Sequence, residues 1–227
     1  VRKFEKRVRI TAQLIEVSTG FHLWSKKYDR DLVLKNVSFT IRKGQMVALV
    51  GKSGSGKSTL VDLLPRFMDV TEGEVLIDGI PVQDYRIKSL RSLMGMVSQQ
   101  SILFNDSFRN NIAFGIKGGV TDEKVEEAAR VANAHDFILE NPQGYDAGVG
   151  EGGGKLSGGQ KQRISIARAV MADPPILILD EPTAVFTPQE TENLFSILRK
   201  MRDDGCAIII ITHKLEEVMA VADDIAV

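Results

Sequence analysis

Cysteine, tryptophan and histidine are scarce in these 227 residues, at one, one and three. The single thiol, Cys206, excludes an intrachain disulfide and suits a reducing compartment. It precedes Ala207-Ile208-Ile209-Ile210-Ile211 and is therefore expected to be a buried strand residue, not a nucleophile. His22 and His135 read as structural, and no Cys/His cluster has metal-ligand spacing. Long apolar runs are missing too. None approaches the ~18 residues of a membrane-spanning helix, and no secretory leader is visible. Any membrane must then be spanned by another chain or by a missing part. Nor does one sign of charge dominate: 29 Lys/Arg face 30 Asp/Glu, which argues against a nucleic-acid partner recruited by overall basicity. Residues 1–30 do hold eight Lys/Arg against three Asp/Glu, which a solvated face explains. The chain starts at Val1 without methionine and is expected to be a fragment.

What is present is ordinary globular material, 43% hydrophobic and 26% charged, enough for one α/β domain with a substantial core. Into it is set one unusual stretch, Gly51-Lys52-Ser53-Gly54-Ser55-Gly56-Lys57-Ser58-Thr59. The apolar run Met46–Val50 precedes it, and Leu60-Val61-Asp62-Leu63-Leu64 can continue as a helix. Strand, glycine loop and helix are the context in which G-x-x-x-x-G-K-[ST] cradles phosphate. Gly51, Gly54 and Gly56 let the backbone curl with its N–H groups inward, and Ser53, Ser55 and Thr59 complete the loop. Lys57 is expected at the β- and γ-phosphates and the Ser58 hydroxyl on Mg²⁺. A nucleoside triphosphate is the expected ligand.

Along the chain, residues 8–17 mostly alternate apolar and polar, as do Phe21–Ser25. Ser18-Thr19-Gly20 between them predicts a β-hairpin. Further strands are expected at Val37–Ile41, around Glu74–Ile77 and at Met94–Ser98. Thr121 is placed to cap an acidic-fronted helix, and residues 84–156 read as a mainly helical subdomain. Lys161–Met171 predicts a strong helix stopped by Pro174-Pro175. Ile176–Leu179 predicts a buried strand, and Pro188 starts a helix running to about Asp204. Ala207–Ile211 is the next buried strand, followed by a helix through about Ala222. There is no internal repeat.

The buried strand at Ile176–Leu179 delivers Asp180 and Glu181 at its C-terminal end. Asp180 is placed to hold Mg²⁺ beside Ser58, and Glu181 to act as general base on the attacking water. Gln99, after a strand, is a candidate for the metal or the water, and His213, after another, for the γ-phosphate and the water. Taken singly, each of these two is weak evidence. Leu156-Ser157-Gly158-Gly159-Gln160 adds a second anion-binding helix start about a hundred residues after the first. One nucleotide needs only one phosphate loop, so a second element suggests a partner's nucleotide gripped in trans.

Here the residues resemble the ATP-binding cassette (ABC) ATPases over about residues 28–227. GKSGSGKST is similar to their Walker A, LSGGQ to their signature and ILILDE to their Walker B. Gln99 and His213 fall where their Q-loop glutamine and switch histidine fall. The resemblance implies an α/β P-loop NTPase with a RecA-like core, an antiparallel β-subdomain and a helical signature subdomain. It also implies two domains sandwiching two ATP molecules, each site completed by the other's Ser157, Gly158, Gly159 and Gln160. It further implies an aromatic ring on adenine, matched by Tyr28 with Trp24 in reserve. The partners expected are a second such domain and a transmembrane domain, with the ATPase at the cytoplasmic face of the membrane.

Departures from the pattern predict a mosaic. Residues 33–183 resemble an exporter ATPase, while Ala184–Glu190 and Thr212–Val218 resemble importer ATPases for sugars or nucleosides. Thr187 stands where an exporter usually has the D-loop aspartate. Residues 1–32 resemble a sensory domain associated with bacterial adenylate-cyclase-like and TPR proteins. The boundaries expected are thus residues 1–32 and 33–227, with the family's last strands missing after 227. The leading function is an ATP-hydrolysing subunit of an ABC transporter. The alternative is a soluble, designed or recombined ATP-binding module uncoupled from transport. A DNA-repair or translation ATPase is disfavoured, since there is no coiled-coil insertion and no second cassette.

Overall fold

A computed structural model describes residues 7–15, 34–99, 101–116, 118–184 and 186–226. In chain order the elements are β1 (Arg7–Ile15), β2 (Leu34–Arg42), β3 (Met46–Leu49), α1 (Lys57–Asp62), β4 (Glu72–Ile77) and β5 (Ile80–Pro81). Then come α2 (Ile87–Arg91), β6 (Met94–Val97), α3 (Phe108–Ile112), α4 (Asp122–Val131) and α5 (His135–Leu139). The last set is α6 (Gly158–Met171), β7 (Ile176–Asp180), α7 (Pro188–Asp203), β8 (Ala207–Ile211), α8 (Leu215–Val221) and β9 (Asp224–Ala226).

Two sheets organise these elements. β6-β7-β8-β3-β9 form a parallel sheet, and β2-β1-β4-β5 an antiparallel one. The central parallel strands read as unbroken apolar runs because both of their faces are covered. Successive side chains along β7 and β8 alternate between two cores. Leu177, Leu179, Ile208 and Ile210 join the core built with α3 to α7. Ile176, Ile178, Ile209 and Ile211 join the core under α1, α2 and β4. All eight are buried, and each contributes roughly 1.5–3 kcal/mol by leaving water.

The α/β architecture with a parallel sheet is the one expected of a P-loop NTPase, but several local expectations need correction. The predicted hairpin partner, Phe21–Ser25, and its turn lie outside the described residues. β1 instead pairs antiparallel with β2, Val8 opposite Ile41, and on its other side with β4. Within residues 84–156 the helices α2 to α5 share the stretch with β6, which pairs with β7 at the edge of the parallel sheet. The phosphate-loop helix α1 ends at Asp62, and turns follow through to Arg66, whose φ is +53°. α6 begins three residues earlier than expected, since Ser157 and Gln160 close a capping box ahead of Gly158. β9 was not foreseen; Asp223 and Asp224 make an acidic start for a strand. Met46 N–H donates to the Asp223 carboxylate at 2.8 Å, and Asp223 N–H returns a bond to the Met46 carbonyl.

Parallel pairing aligns the strand ends that matter. Leu49 and Asp180 both stand opposite Ile211, so the residues following β3, β7 and β8 emerge side by side at the carboxyl edge. Open α/β sheets bind ligands at this edge.

Candidate active site

The loop after β3 is built on backbone conformations that side chains oppose. Gly54 and Gly56 have φ of +78° and +91°, the left-handed region open to glycine without a Cβ clash. Lys57 folds back over this loop. Its Nζ donates to the carbonyls of Gly51 at 2.9 Å and Lys52 at 2.8 Å, fixing the ammonium at the centre of the curl. Because α1 has only six residues, the positive field comes from Lys57 and the loop N–H groups more than from a long macrodipole.

Next to Lys57, the Ser58 hydroxyl donates to Asp180 Oδ2 at 3.0 Å. Burial, opposed by this hydrogen bond and then aided by the Glu181 charge, raises the Asp180 carboxyl above the ordinary carboxylate range. Burial and then Asp180 raise Asp62 in the same way.

Glu181 has a φ of +49°, a left-handed conformation costing a non-glycine residue about 1–2 kcal/mol. Its N–H donates to the Ile211 carbonyl at 2.9 Å, tying the end of β7 to the end of β8. Its carbonyl accepts from Gln162 Nε2 at 3.0 Å. Oε1 lies 3.0 Å from His213 Nδ1, while Oε2 is buried without a hydrogen-bond partner among the described residues. An ionised carboxylate only accepts, so this pairing places the proton on Nδ1 and leaves Nε2 for another partner. The histidine is 66% exposed and the glutamate 13%, so the pair spans the mouth and the floor of the site.

A buried polar cluster fixes the turn that carries His213. The Thr183 hydroxyl donates to the Glu217 carboxylate at 2.7 Å, and Thr212 Oγ1 donates to it at 3.1 Å. Lys214 Nζ completes the charge balance 2.9 Å from Glu217 and also donates to the Thr183 carbonyl. The residues on either side of His213 are thereby locked to the segment following Glu181.

Around one open cleft of about 570 Å³ stand Gly51–Gly54, Gly56–Thr59, Gln99, Asp180, Glu181, Ala184 and His213. Parts of the chain 162 residues apart thus meet in one place. Ser157, Gly158, Gly159 and Gln160 do not line it. They form the start of α6, with Ser157 and Gly158 exposed and Gly159 and Gln160 half-buried, and there Ser157 Oγ accepts from Gln160 N–H and Gln160 Oε1 accepts from Ser157 N–H. Tyr28, Trp24 and His22 lie outside the described residues.

Residues 34–184 match the family model described as ABC transporter. The chain belongs to the ABC transporter family. It is 52% identical over 192 residues to the ATP-dependent lipid A-core flippase of Syntrophus aciditrophicus (strain SB), covering 84% of this chain and 31% of the relative. It is 46% identical over 214 residues to a protein of Staphylococcus aureus (strain bovine RF122 / ET3-1) named as a multidrug export ATP-binding/permease protein. That match covers 92% of this chain and 37% of the relative. Among solved structures it is similar to a bacterial Atm1-family ABC exporter with ATP bound. The TM-score is 0.84 at 38% identity, covering 96% of this chain and 36% of the other. The chain spans about a third of the length of these relatives and corresponds to an ABC ATP-binding domain. Among the described residues, no helix is long and apolar enough to cross a membrane.

Two parts of this ABC site escaped the sequence reading. Gln162 is polar on the face of α6 that also buries Ser165, Ile166 and Ala169, and that misplaced amide was the available signal. Glu217 lies in a helix start rich in acid and gave no sign that it would be buried. Conversely, His135 packs as expected, its Nδ1 2.8 Å from the Tyr145 hydroxyl inside the helical core. Cys206 is buried one residue before β8.

Proposed function

We propose that this domain binds MgATP, hydrolyses it, and powers export by a membrane-spanning partner through ATP-dependent pairing of two such domains. The observation that carries the proposal is the convergence of Lys57, Ser58, Asp180, Glu181 and His213 on one open cleft. A phosphate-binding loop, a cation-holding oxygen pair and a carboxylate next to a histidine are the parts that phosphoryl transfer to water needs.

The loop N–H groups and Lys57 bind the phosphates, and Lys57 offsets charge as it develops on the γ-phosphoryl oxygens. The Glu181 carboxylate takes the proton of the water as the water oxygen bonds to γ-phosphorus. The bond from that phosphorus to the β–γ bridging oxygen breaks, ADP keeps the electron pair, and phosphate departs. His213 holds Glu181 through Oε1 and offers Nε2 to the nucleotide. Gln99, two residues past the end of β6, orients the water or the metal.

The donor set fits Mg²⁺, a hard cation that takes few protein oxygens and completes its shell with phosphate and water. Ser58 and Asp180 are hydrogen-bonded hard-oxygen donors beside the phosphate loop, and no cluster of three or more His, Cys, Asp or Glu competes among the described residues. Bound there, Mg²⁺ would neutralise charge on the β- and γ-phosphates.

Ser157, Gly158, Gly159 and Gln160 lie away from the cleft, which favours their action on the nucleotide of a second domain. The exporters and the flippase among the relatives support an export partner and a position at the cytoplasmic membrane face. Tyr28 would stack on adenine, residues 1–32 would form an N-terminal unit of separate origin, and the helices α3 to α5 would form the signature subdomain.

The test is phosphate release beside calorimetry. Wild type should hydrolyse MgATP. Lys57→Ala should bind it roughly 10- to 100-fold more weakly, the factor for losing a charge-assisted hydrogen bond. Unchanged ATP affinity in folded Lys57→Ala would overturn the phosphate-loop assignment, and an ATP-binding wild type without phosphate release would leave an uncoupled module.

A further inference from the structure

We propose that Gln162 is a positioning residue for the catalytic glutamate, acting from the signature helix on the Glu181 backbone. This inference rests on the assignment of Glu181 as general base. Glu181 occupies a left-handed conformation that an L-residue keeps only when its surroundings hold it there. Its N–H is held by Ile211 at the end of the neighbouring strand. Its carbonyl has two donors, Ala184 N–H at 3.3 Å within the same turn and Gln162 Nε2 at 3.0 Å. Gln162 is the one that comes from a different element, and its side chain is buried at 4% exposure.

The bond has a direction that suits control. A carbonyl held from α6 fixes the rotation of the Glu181 peptide unit, and with it the vector along which the side chain leaves the chain. Oε1 then meets His213, and Oε2 lies buried without a partner among the described residues. Releasing the carbonyl would let φ relax toward the ordinary helical region and swing the carboxylate away from both. Gln162 also sits five residues after Ser157, on the same helix whose capping box presents Ser157 and Gln160 at the surface. A force on that exposed end reaches the Glu181 carbonyl through little more than one rigid helical turn. Occupation of the signature by the second domain's nucleotide would therefore be felt at this domain's own base.

Two variants and two readouts test the idea. Gln162→Met keeps length and volume but cannot donate. Gln162→Glu donates only while its carboxyl is protonated. In phosphate-release assays of the domain, Gln162→Met should lower kcat roughly 10- to 100-fold, the scale of a catalytic group displaced by about an ångström. Its KM should change less than about two-fold, since the bond acts on the chemical step and not on ground-state binding. Gln162→Glu should recover activity relative to wild type as pH falls. The second readout needs no turnover. Backbone amide exchange at 181–184 in the free protein should quicken roughly ten-fold or more in Gln162→Met, with the later turns of α6 unchanged.

Unchanged kcat with unchanged exchange at 181–184 overturns the inference. So does a variant that loses kcat, ATP affinity and thermal stability together, because that is a folding role only. A wild type that binds ATP without releasing phosphate would remove the base assignment, and the exchange comparison alone would then decide whether Gln162 holds the turn.

Discussion

Ser58 Oγ donates to Asp180 Oδ2 at 3.0 Å, closing a distance of 122 residues in the chain. That single bond joins the phosphate loop to the acidic strand end and brings together the two oxygens proposed above for Mg²⁺. It also marks a site assembled for a ligand at the expense of the free fold, because Asp62, Asp180 and Glu181 crowd together.

Asp180→Asn should therefore raise the melting temperature of the nucleotide-free domain while abolishing MgATP hydrolysis. The amide still accepts from Ser58 but no longer repels Asp62 and Glu181. Differential scanning calorimetry without nucleotide, next to a phosphate-release assay, checks both halves. A lower melting temperature would mean that the charged Ser58–Asp180 bond outweighs the crowding.

Thr187 caps α7. Its Oγ1 accepts from Glu190 N–H at 3.3 Å, and Glu190 Oε2 accepts from Thr187 N–H at 2.9 Å. Thr187→Ala should cost about 1 kcal/mol. In a chain of this size that is a fall of roughly 2–4 °C in Tm. Thr187→Asp should keep the cap and melt like wild type. Equal melting of all three would show that the capping box does not hold α7.

Burial raises the Cys206 thiol from 9.0 to about 12, with Asp173 adding to the effect. Its thiolate is then nearly absent in the folded protein at pH 8. Iodoacetamide should leave the native chain unmodified by mass spectrometry and alkylate it fully in denaturant. The sign of the linkage follows from the folded pKa lying above the unfolded one. The folded state holds its proton longer, so stability should fall as pH rises from 9.0 to about 12. Rapid native labelling would contradict the buried placement.

The strands at 176–180 and 207–211 were legible because a strand covered on both faces must be apolar throughout. The cleft was legible because Gly51–Thr59, Asp180-Glu181 and His213 each follow such a strand, and parallel pairing then brings their ends together. Capping chemistry placed α4 and α7 through Thr121 and Pro188. What was hidden depends on tertiary partners. The extent of α6 turned on a reciprocal bond between Ser157 and Gln160, and β9 exists because Asp223 and Met46 exchange bonds across 177 residues. The left-handed Glu181 and its hold by Gln162 have no local signature, since the strain is offset by contacts from α6 and β8.

In the mechanism proposed above, two of these domains close on ATP through Ser157 and reopen when Glu181 completes hydrolysis. Glu181→Gln keeps shape and hydrogen bonding but removes the base, so bound MgATP should persist. Size-exclusion chromatography with light scattering should show this variant monomeric alone, dimeric with MgATP and monomeric with ADP. Adding Ser157→Arg should prevent the dimer while leaving ATP binding to the monomer intact. A Glu181→Gln domain that binds ATP tightly yet stays monomeric at high concentration would contradict the account.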